Sequence, residues 1–339
     1  MAENPAPAAA PALTVSVVIP TFRRPRYVAE CLAHLERLRT APLEVLVVDA
    51  SPDPATRRVV EAHPGVRYLR NELGAGTTPE SRGIGVAHAR GDVVAFVDDD
   101  AYVDPDWLDE LLAPYADPDV AGVGGRIVNG QPGEEHEGLD RIGRLLPDGR
   151  LTGYFAADPG RTIEVDHLLG ATMSYRRAAL LDVGGVHGRY PGPCVCEETD
   201  IALRQRALGR RLVFAPRAVV RHVSAPYAGR GDRFDRRYDF YRRRNHQAML
   251  VRVYGPAAPV TRRHTWTVLR EEGGRLRWMA RALLGRVRDE DGRRPGVAQR
   301  LRAPAILARV GVDVAGLAVG WPAGLRDRRH DRLPARERS

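Results

Sequence analysis

A chain of 339 residues is long enough for one large domain or for a domain with an extension. Apolar residues make up 43% and charged residues 28%, which excludes a wholly disordered chain and predicts a proper core. The net charge of +9 is carried on arginine alone, because lysine is absent, and it is unevenly placed: residues 1–220 hold 24 arginines against 31 acids, residues 221–339 hold 28 against 12. The last third is therefore a separate basic feature, suited either to an anionic partner such as a membrane surface, phosphate or nucleic acid, or to a solvated helical face. Three cysteines with no repeated C-x-x-C give no disulfide framework: Cys31 reads as a small buried hydrophobe, the Cys194/Cys196 pair is only a weak zinc signal, and a reducing, cytoplasmic setting fits.

The opening stretch, residues 1–12, has no basic n-region and no long apolar run, and reads as a disordered tail. "TVSVVIP" (14–20) is a β-branched run stopped by proline, a buried strand. Apolar residues at 27, 28, 31, 32, 35 and 38 follow at helical spacing. A strand at 43–49, a helix at 54–63, a strand at 66–70, a helix at 79–89 and a strand at 92–97 continue the alternation. Such βαβ units predict a largely parallel, doubly wound sheet whose strands are apolar throughout because both faces are covered. "VDPDWLDELL" starts a further helix, with Asp104 read as its cap and Pro105 in its first turn. Residues 120–220 hold shorter strands, a helix near 177–182 and a helix "CEETDIALRQRALG" closed by Gly209.

Ligands of open α/β sheets bind beyond the carboxyl ends of the strands. Those ends carry Pro20-Thr21, then Asp49, then Asp98-Asp99-Asp100, so three polar sites distant in sequence converge on one edge. The triplet precedes the helix cap and so is not itself capping. A divalent ion explains it: Mg2+ or Mn2+ takes carboxylate oxygens, relieves their repulsion and stabilises charge on a departing diphosphate. Competing site classes lose on position. "PTFRRPR" stands where a dinucleotide enzyme needs G-x-G-x-x-G or a nucleotidyltransferase a glycine-rich basic loop, and an aspartyl-phosphate enzyme needs its motif after the first strand.

"VSVVIPTFRR", "VLVVDASPD", "RGIGVAHARGDVVAFVDDDAYVDPDWL", "GATMSYRRAAL" and "CEETDIALRQRALGRRLVFAP" follow one another in an order that resembles the family 2 glycosyltransferases of the GT-A fold, over about residues 13 to 250. The resemblance implies an α/β, Rossmann-like doubly wound mixed sheet with a basic helical C-terminal extension, a nucleotide-sugar donor (UDP-, dTDP- or GDP-linked) and an inverting mechanism. It places the catalytic domain at 13–225, with a nucleotide-binding half at 13–125 and an acceptor half at 126–225, and the extension at 226–339. Carried over, Pro20, Thr21 and Arg23 border the nucleotide, Asp49 meets base or ribose, and Arg82 stands near base or diphosphate. Asp98 and Asp99 lie close to the ribose, and Asp100 binds the metal with His222 as a further ligand. Ala50 and Gly83 depart from the family pattern beside Asp49 and Arg82, which leaves the base open.

An inverting displacement needs a carboxylate to take the acceptor hydroxyl proton. "CEETD" offers Glu197, Glu198 and Asp200. Asp200 has Arg204 four residues on and so a structural partner, whereas Glu198 has only Ile201 and Ala202 there. The family pattern also puts its base at Glu198, which is the first choice, with Asp200 second. Q-x-x-R-W of processive relatives is absent, since 205–209 read "QRALG", and one sugar per encounter follows. Acceptors in view are a saccharide, a lipid-linked glycan or a small molecule, with loops 126–165 and 186–196 shaping the pocket.

Arg242, Arg243 and Arg244 either neutralise phosphate or form a solvated face. "LRWMARALLGRVR" (276–288) is a basic amphipathic helix of the kind that lies on the inner face of a membrane. The apolar run at 305–321 is interrupted by Arg309 and Asp313 and reads as a buried or surface-lying helix rather than a span. A non-catalytic binding protein docking its tail on membrane or RNA is the rival reading. It predicts lost acids at the metal or base position, but the acids are kept, and aromatic residues for nucleic-acid stacking are sparse in the tail.

Overall fold

The computed structural model describes residues 13–186, 189–224, 235–284 and 303–331. The tail expected at 1–12 and residues 285–288 of the amphipathic segment lie outside the described residues. Among the described residues nine strands form one mixed sheet: β1 (Val15–Thr21), β2 (Glu44–Asp49), β3 (Val66–Arg70), β4 (Val93–Val97), β5 (Ala101–Val103), β6 (Val120–Val128), β7 (Ile163–Glu164), β8 (Thr172–Arg176) and β9 (Arg211–His222). The order is β3-β2-β1-β4-β8-β6-β9-β5, with β7 also pairing with β9. The four strands β3, β2, β1 and β4 are parallel, and β8 enters antiparallel beside β4. Order therefore reverses at β1 and β4, the place where an α/β sheet opens a crevice.

The helices explain the unbroken apolar strands. α1 (Pro25–Leu35), α2 (Ala55–Glu61) and α3 (Thr78–His88) alternate with the first strands, and every residue of β1 and β4 is buried. α3 can sit this close to β1 only because Gly85 lacks a side chain: a Cβ there would meet Val18 Cγ1 at 2.3 Å. Trp107, at the start of α4 (Trp107–Leu112), is fully buried and donates its indole N–H to Thr172 Oγ1 at 2.9 Å. That helix begins later than the sequence reading places it. Asp104 belongs to a turn in which its carbonyl accepts from Trp107 N–H, and Asp106 holds the cap position without a side-chain bond, pairing instead with Arg39 at 2.6 Å. Two more helices, α5 (Arg177–Asp182) and α6 (Glu197–Ala207), flank β8 and β9.

The basic third contributes α7 (Arg236–Tyr254), α8 (Pro259–Leu283) and α9 (Ala303–Asp331). Three glycines four residues apart seat α9 on α7. A Cβ would meet Phe240 O at 2.9 Å from Gly316, Arg244 O at 2.6 Å from Gly320 and Ala248 O at 2.4 Å from Gly324. The arginine triplet on α7 packs into the bundle rather than forming a fully solvated face. Arg243 is buried against Asp313 of α9 at 3.1 Å, Arg242 lies 3.9 Å from the same carboxylate, and Arg244 donates to the Arg189 carbonyl at 2.9 Å. Asp313, wholly buried, is also approached by Arg275 of α8 at 3.3 Å. With Arg309 of α9 itself at 3.5 Å, this one carboxylate faces cations from all three helices. α9 is long and apolar enough to cross a membrane by length and composition, yet of the two charges that interrupt it Asp313 lies inside the bundle while Arg309 is exposed.

Candidate active site

A cleft of about 1200 Å3 opens at the carboxyl ends of β1 and β4. Pro20, Thr21, Arg23, Arg82, Asp98, Asp99, Asp100, Glu198 and His222 all line it, so residues up to 202 positions apart are brought together. Asp49 and Asp200 do not.

The aspartate triplet divides by direction. Asp99 turns inward, accepting from Thr21 Oγ1 at 2.7 Å and from Arg24 at 3.0 Å. Burial pushes its carboxyl up to about 7 against the pull of that arginine and that hydroxyl. Asp98 and Asp100 face the cleft. β5 pairs antiparallel with β9 in a register that sets Ala101 against His222, and Val223 N–H donates to the Asp100 carbonyl. Strand pairing thus delivers the imidazole: His222 Nε2 lies 3.2 Å from Asp100 Oδ1. Asp98, Asp100 and His222 each offer a ligand atom, all within 4.8 Å of one another. Two carboxylates and one imidazole, with room for further oxygen ligands, fit Mg2+ or Mn2+.

Arg82, on α3 and 3% exposed, joins the two sides of the cleft. One guanidinium nitrogen binds Asp98 at 2.7 Å and Gly170 O at 3.3 Å, and the other pairs with Glu197. Glu197 is buried, and its second oxygen has no partner among the described residues. Cys194 (φ 59) and Cys196 (φ 76) hold the left-handed backbone just before α6, a strained turn of the kind that gathers at functional sites. It aims the first turn of α6 at the cleft. Glu198, half-buried there, has its carboxyl raised by burial in spite of the nearby Arg82. Among the described residues no thiol belongs to this ligand group: Cys194 donates to Gly76 O at 3.1 Å and Cys31 lies in the core behind the triplet.

Two expected residues stand elsewhere. Asp49, wholly buried, accepts from Ser51 N–H at 2.8 Å and Tyr68 O–H at 3.1 Å. Ala50 lines the cleft in front of it, so Asp49 shapes the wall through Ser51, which in turn accepts from Arg23 N–H at 2.7 Å. Asp200 points away from the cleft into a polar cluster. It accepts from Tyr190 O–H at 2.6 Å, from Arg204 at 2.7 Å (the i,i+4 pair read from the sequence) and from Arg252 of α7 at 2.8 Å.

Sequence reasoning passed over Arg24, which bridges Asp99 at 3.0 Å and Asp100 at 3.3 Å. Its signal was present: it ends "PTFRR", just beyond β1 and before the Pro25 that opens α1, where a cation faces the acids of the neighbouring strand end. Tyr154 and Tyr238 also line the cleft and carried no motif.

The model of glycosyl transferase family 2 matches residues 16–184. A glucosyl-dolichyl phosphate glucuronosyltransferase of Haloferax volcanii is 27% identical over 232 residues, covering 63% of this chain and 71% of the relative. A pre-mycofactocin glycosyltransferase of Mycobacterium tuberculosis is 28% identical over 332 residues, which is 92% of this chain but 63% of the relative's length. Among solved structures, a mannosyltransferase from Pyrobaculum calidifontis in complex with GDP-Man and Mn2+ superposes with a TM-score of 0.56 at 20% identity, covering 95% of this chain and 88% of its own. GalNAc-T7 with UDP, GalNAc and Mn2+ gives 0.52 at 18% identity over 71% and 48%. At these identities the two structures establish the fold.

Proposed function

The chain belongs to glycosyl transferase family 2, and from that premise we propose that it moves a single sugar from a nucleotide-sugar donor to a hydroxyl acceptor with inversion at the anomeric carbon. The observation that carries this reading is the facing of two groups across one cleft: Asp98, Asp100 and His222 on the strand side, Glu198 on the α6 side, with Arg82 between. The catalytic unit is taken as residues 13–225, the sheet and its flanking helices.

Asp98, Asp100 and His222 would hold Mg2+ or Mn2+, an ion that neutralises charge on the departing diphosphate when bound. Pro20, Thr21 and Arg23 border the nucleotide, and Asp98 also stands at the ribose edge. Asp99, fastened to Thr21 and Arg24, sets the direction in which its two neighbours point. Asp49 acts on the nucleotide wall through Ser51. Glu198 takes the proton from the acceptor hydroxyl as that oxygen attacks the anomeric carbon. Burial raises its carboxyl above the ordinary glutamate value, which makes it a stronger base once deprotonated. Asp200 fixes the helix that carries it.

Both a GDP-sugar enzyme and a UDP-bound one share the fold, so UDP, dTDP and GDP all stand as donor classes. A saccharide, a lipid-linked glycan or a small molecule stands as acceptor. The deciding experiment is calorimetry of UDP, dTDP and GDP, with and without Mn2+, on the wild type and Asp100→Asn. One nucleotide binding only with metal, and that binding lost in the variant, supports the proposal and selects the donor. A folded protein that binds none of the three, with or without metal, sinks it.

A further inference from the structure

α8 is buried along one line against α7 and α9 through Thr261, His264 and Val268, and much of the rest of its surface is exposed. That exposed surface is not wholly polar. Trp266 is 67% exposed, Leu269 44% and Leu283 52%, and with Leu276 they trace one stripe along the helix. Seventeen residues separate Trp266 from Leu283, about 25 Å of helix. Beside the stripe runs a file of exposed arginines at seven-residue spacing, Arg263, Arg270 and Arg277. Glu271 is the sole exposed acid of α8.

α9 extends this surface. At the turn between α7 and α8, Trp266 and Leu269 share a groove of about 950 Å3 with Trp321 of α9 and with Pro256 and Pro259. Val314, Ala318 and Trp321 follow at i, i+4 and i+7, so they continue one stripe along α9, and Val314 and Val319 are exposed. The one acid in this part of α9, Asp313, is turned inward to Arg243. A broad apolar face edged by arginine, with two indoles at one end, is the chemistry of a surface that meets headgroups and the acyl boundary. A protein partner or a second copy would need acids opposite three arginines, and α8 and α9 present almost none outward.

We infer that the α8–α9 face docks the protein on an anionic lipid surface, Trp266, Leu269 and Trp321 entering the interface and Arg263, Arg270 and Arg277 meeting lipid phosphates. This inference goes beyond the transferase reading and does not depend on it.

The test is flotation of the full chain with vesicles of phosphatidylcholine alone and of phosphatidylcholine with phosphatidylglycerol, read together with tryptophan emission. Expected are flotation with the anionic vesicles, a blue shift on binding, and weakening at high salt. Trp266→Ala with Leu269→Ala, and separately Arg263→Glu with Arg270→Glu, should each weaken binding by roughly ten- to hundredfold. Circular dichroism establishes that the variants are folded, and Mn2+-dependent nucleotide binding in both should match the wild type, which keeps this test separate from that of the cleft. Absent flotation with anionic vesicles, or flotation that folded variants retain in full, overturns the inference. So does a dimer in sedimentation that Trp266→Ala with Leu269→Ala converts to monomer, for the face would then be covered by a second copy.

Discussion

Arg252 of α7 donates to Asp200 of α6 at 2.8 Å while its remaining nitrogens hold Asp331 of α9 at 2.7 and 3.1 Å. The helix that carries Glu198 is thereby tied to the bundle of the basic third. Arg252→Ala leaves the Asp200 carboxylate buried with a cation lost, a change that costs about 3 kcal/mol. Urea unfolding should show that loss. Turnover should also fall while donor-nucleotide affinity is kept, because the tie serves the acceptor side; equal stability of variant and wild type would refute the role.

Glu198→Gln should leave Mn2+-dependent nucleotide binding intact and lower turnover by about a hundredfold or more. A base acts deprotonated, so the wild-type rate rises with pH through its titration. Burial raises that carboxyl above its ordinary value of 4.5, so the acid limb should lie above the ordinary glutamate range. Activity of the variant within a few-fold of wild type would return the assignment to the other acids of α6.

Glu44 opens β2 with a buried carboxylate. Burial works against its charge, but Ser16 Oγ at 2.8 Å, Arg90 N–H at 2.8 Å and the Arg67 guanidinium at 2.6 Å outweigh burial and bring it down to about 2. A folded carboxyl that binds its proton less tightly than the unfolded one stabilises the fold fully above pH 4.5, and that contribution is lost as pH falls toward 2. It is on the order of 2 kcal/mol. Glu44→Gln should lower stability at pH 7 and show a shallower loss between pH 4.5 and 2. Parallel acid-unfolding curves for the two proteins would contradict this.

Gly320→Leu should separate α9 from α7, since the first added carbon already lies 2.6 Å from Arg244 O, which is backbone and cannot swing aside. A loss of about 3 kcal/mol and faster proteolysis within α9 are expected. Gly311, exposed and with nothing within 4 Å of its Cβ position, supplies the contrast. Gly311→Ala should be neutral or stabilise by up to about 1 kcal/mol. The same loss in both would mean that the glycine seam does not seat the helix.

The sequence by itself determined the alternating order of β1 to β4 and α1 to α3, because buried strands and amphipathic helices write their periods locally. It also determined that Thr21 and Asp98–Asp100 share an edge, because parallel strands with crossover helices put their carboxyl ends on one side. The i,i+4 pair of Asp200 and Arg204 was legible for the same local reason. Only the tertiary structure decided which way each acid points. Asp49 and Asp99 face inward against Tyr68, Thr21 and Arg24, and Asp98 faces the cleft against Arg82, partners set by packing and not by periodicity. Arg252 meeting Asp200 across 52 positions, and glycines of α9 meeting carbonyls of α7, left no mark in either segment alone. A hydrophobic period encodes a face, whereas the partner of a face is chosen by the whole chain as it closes on its core.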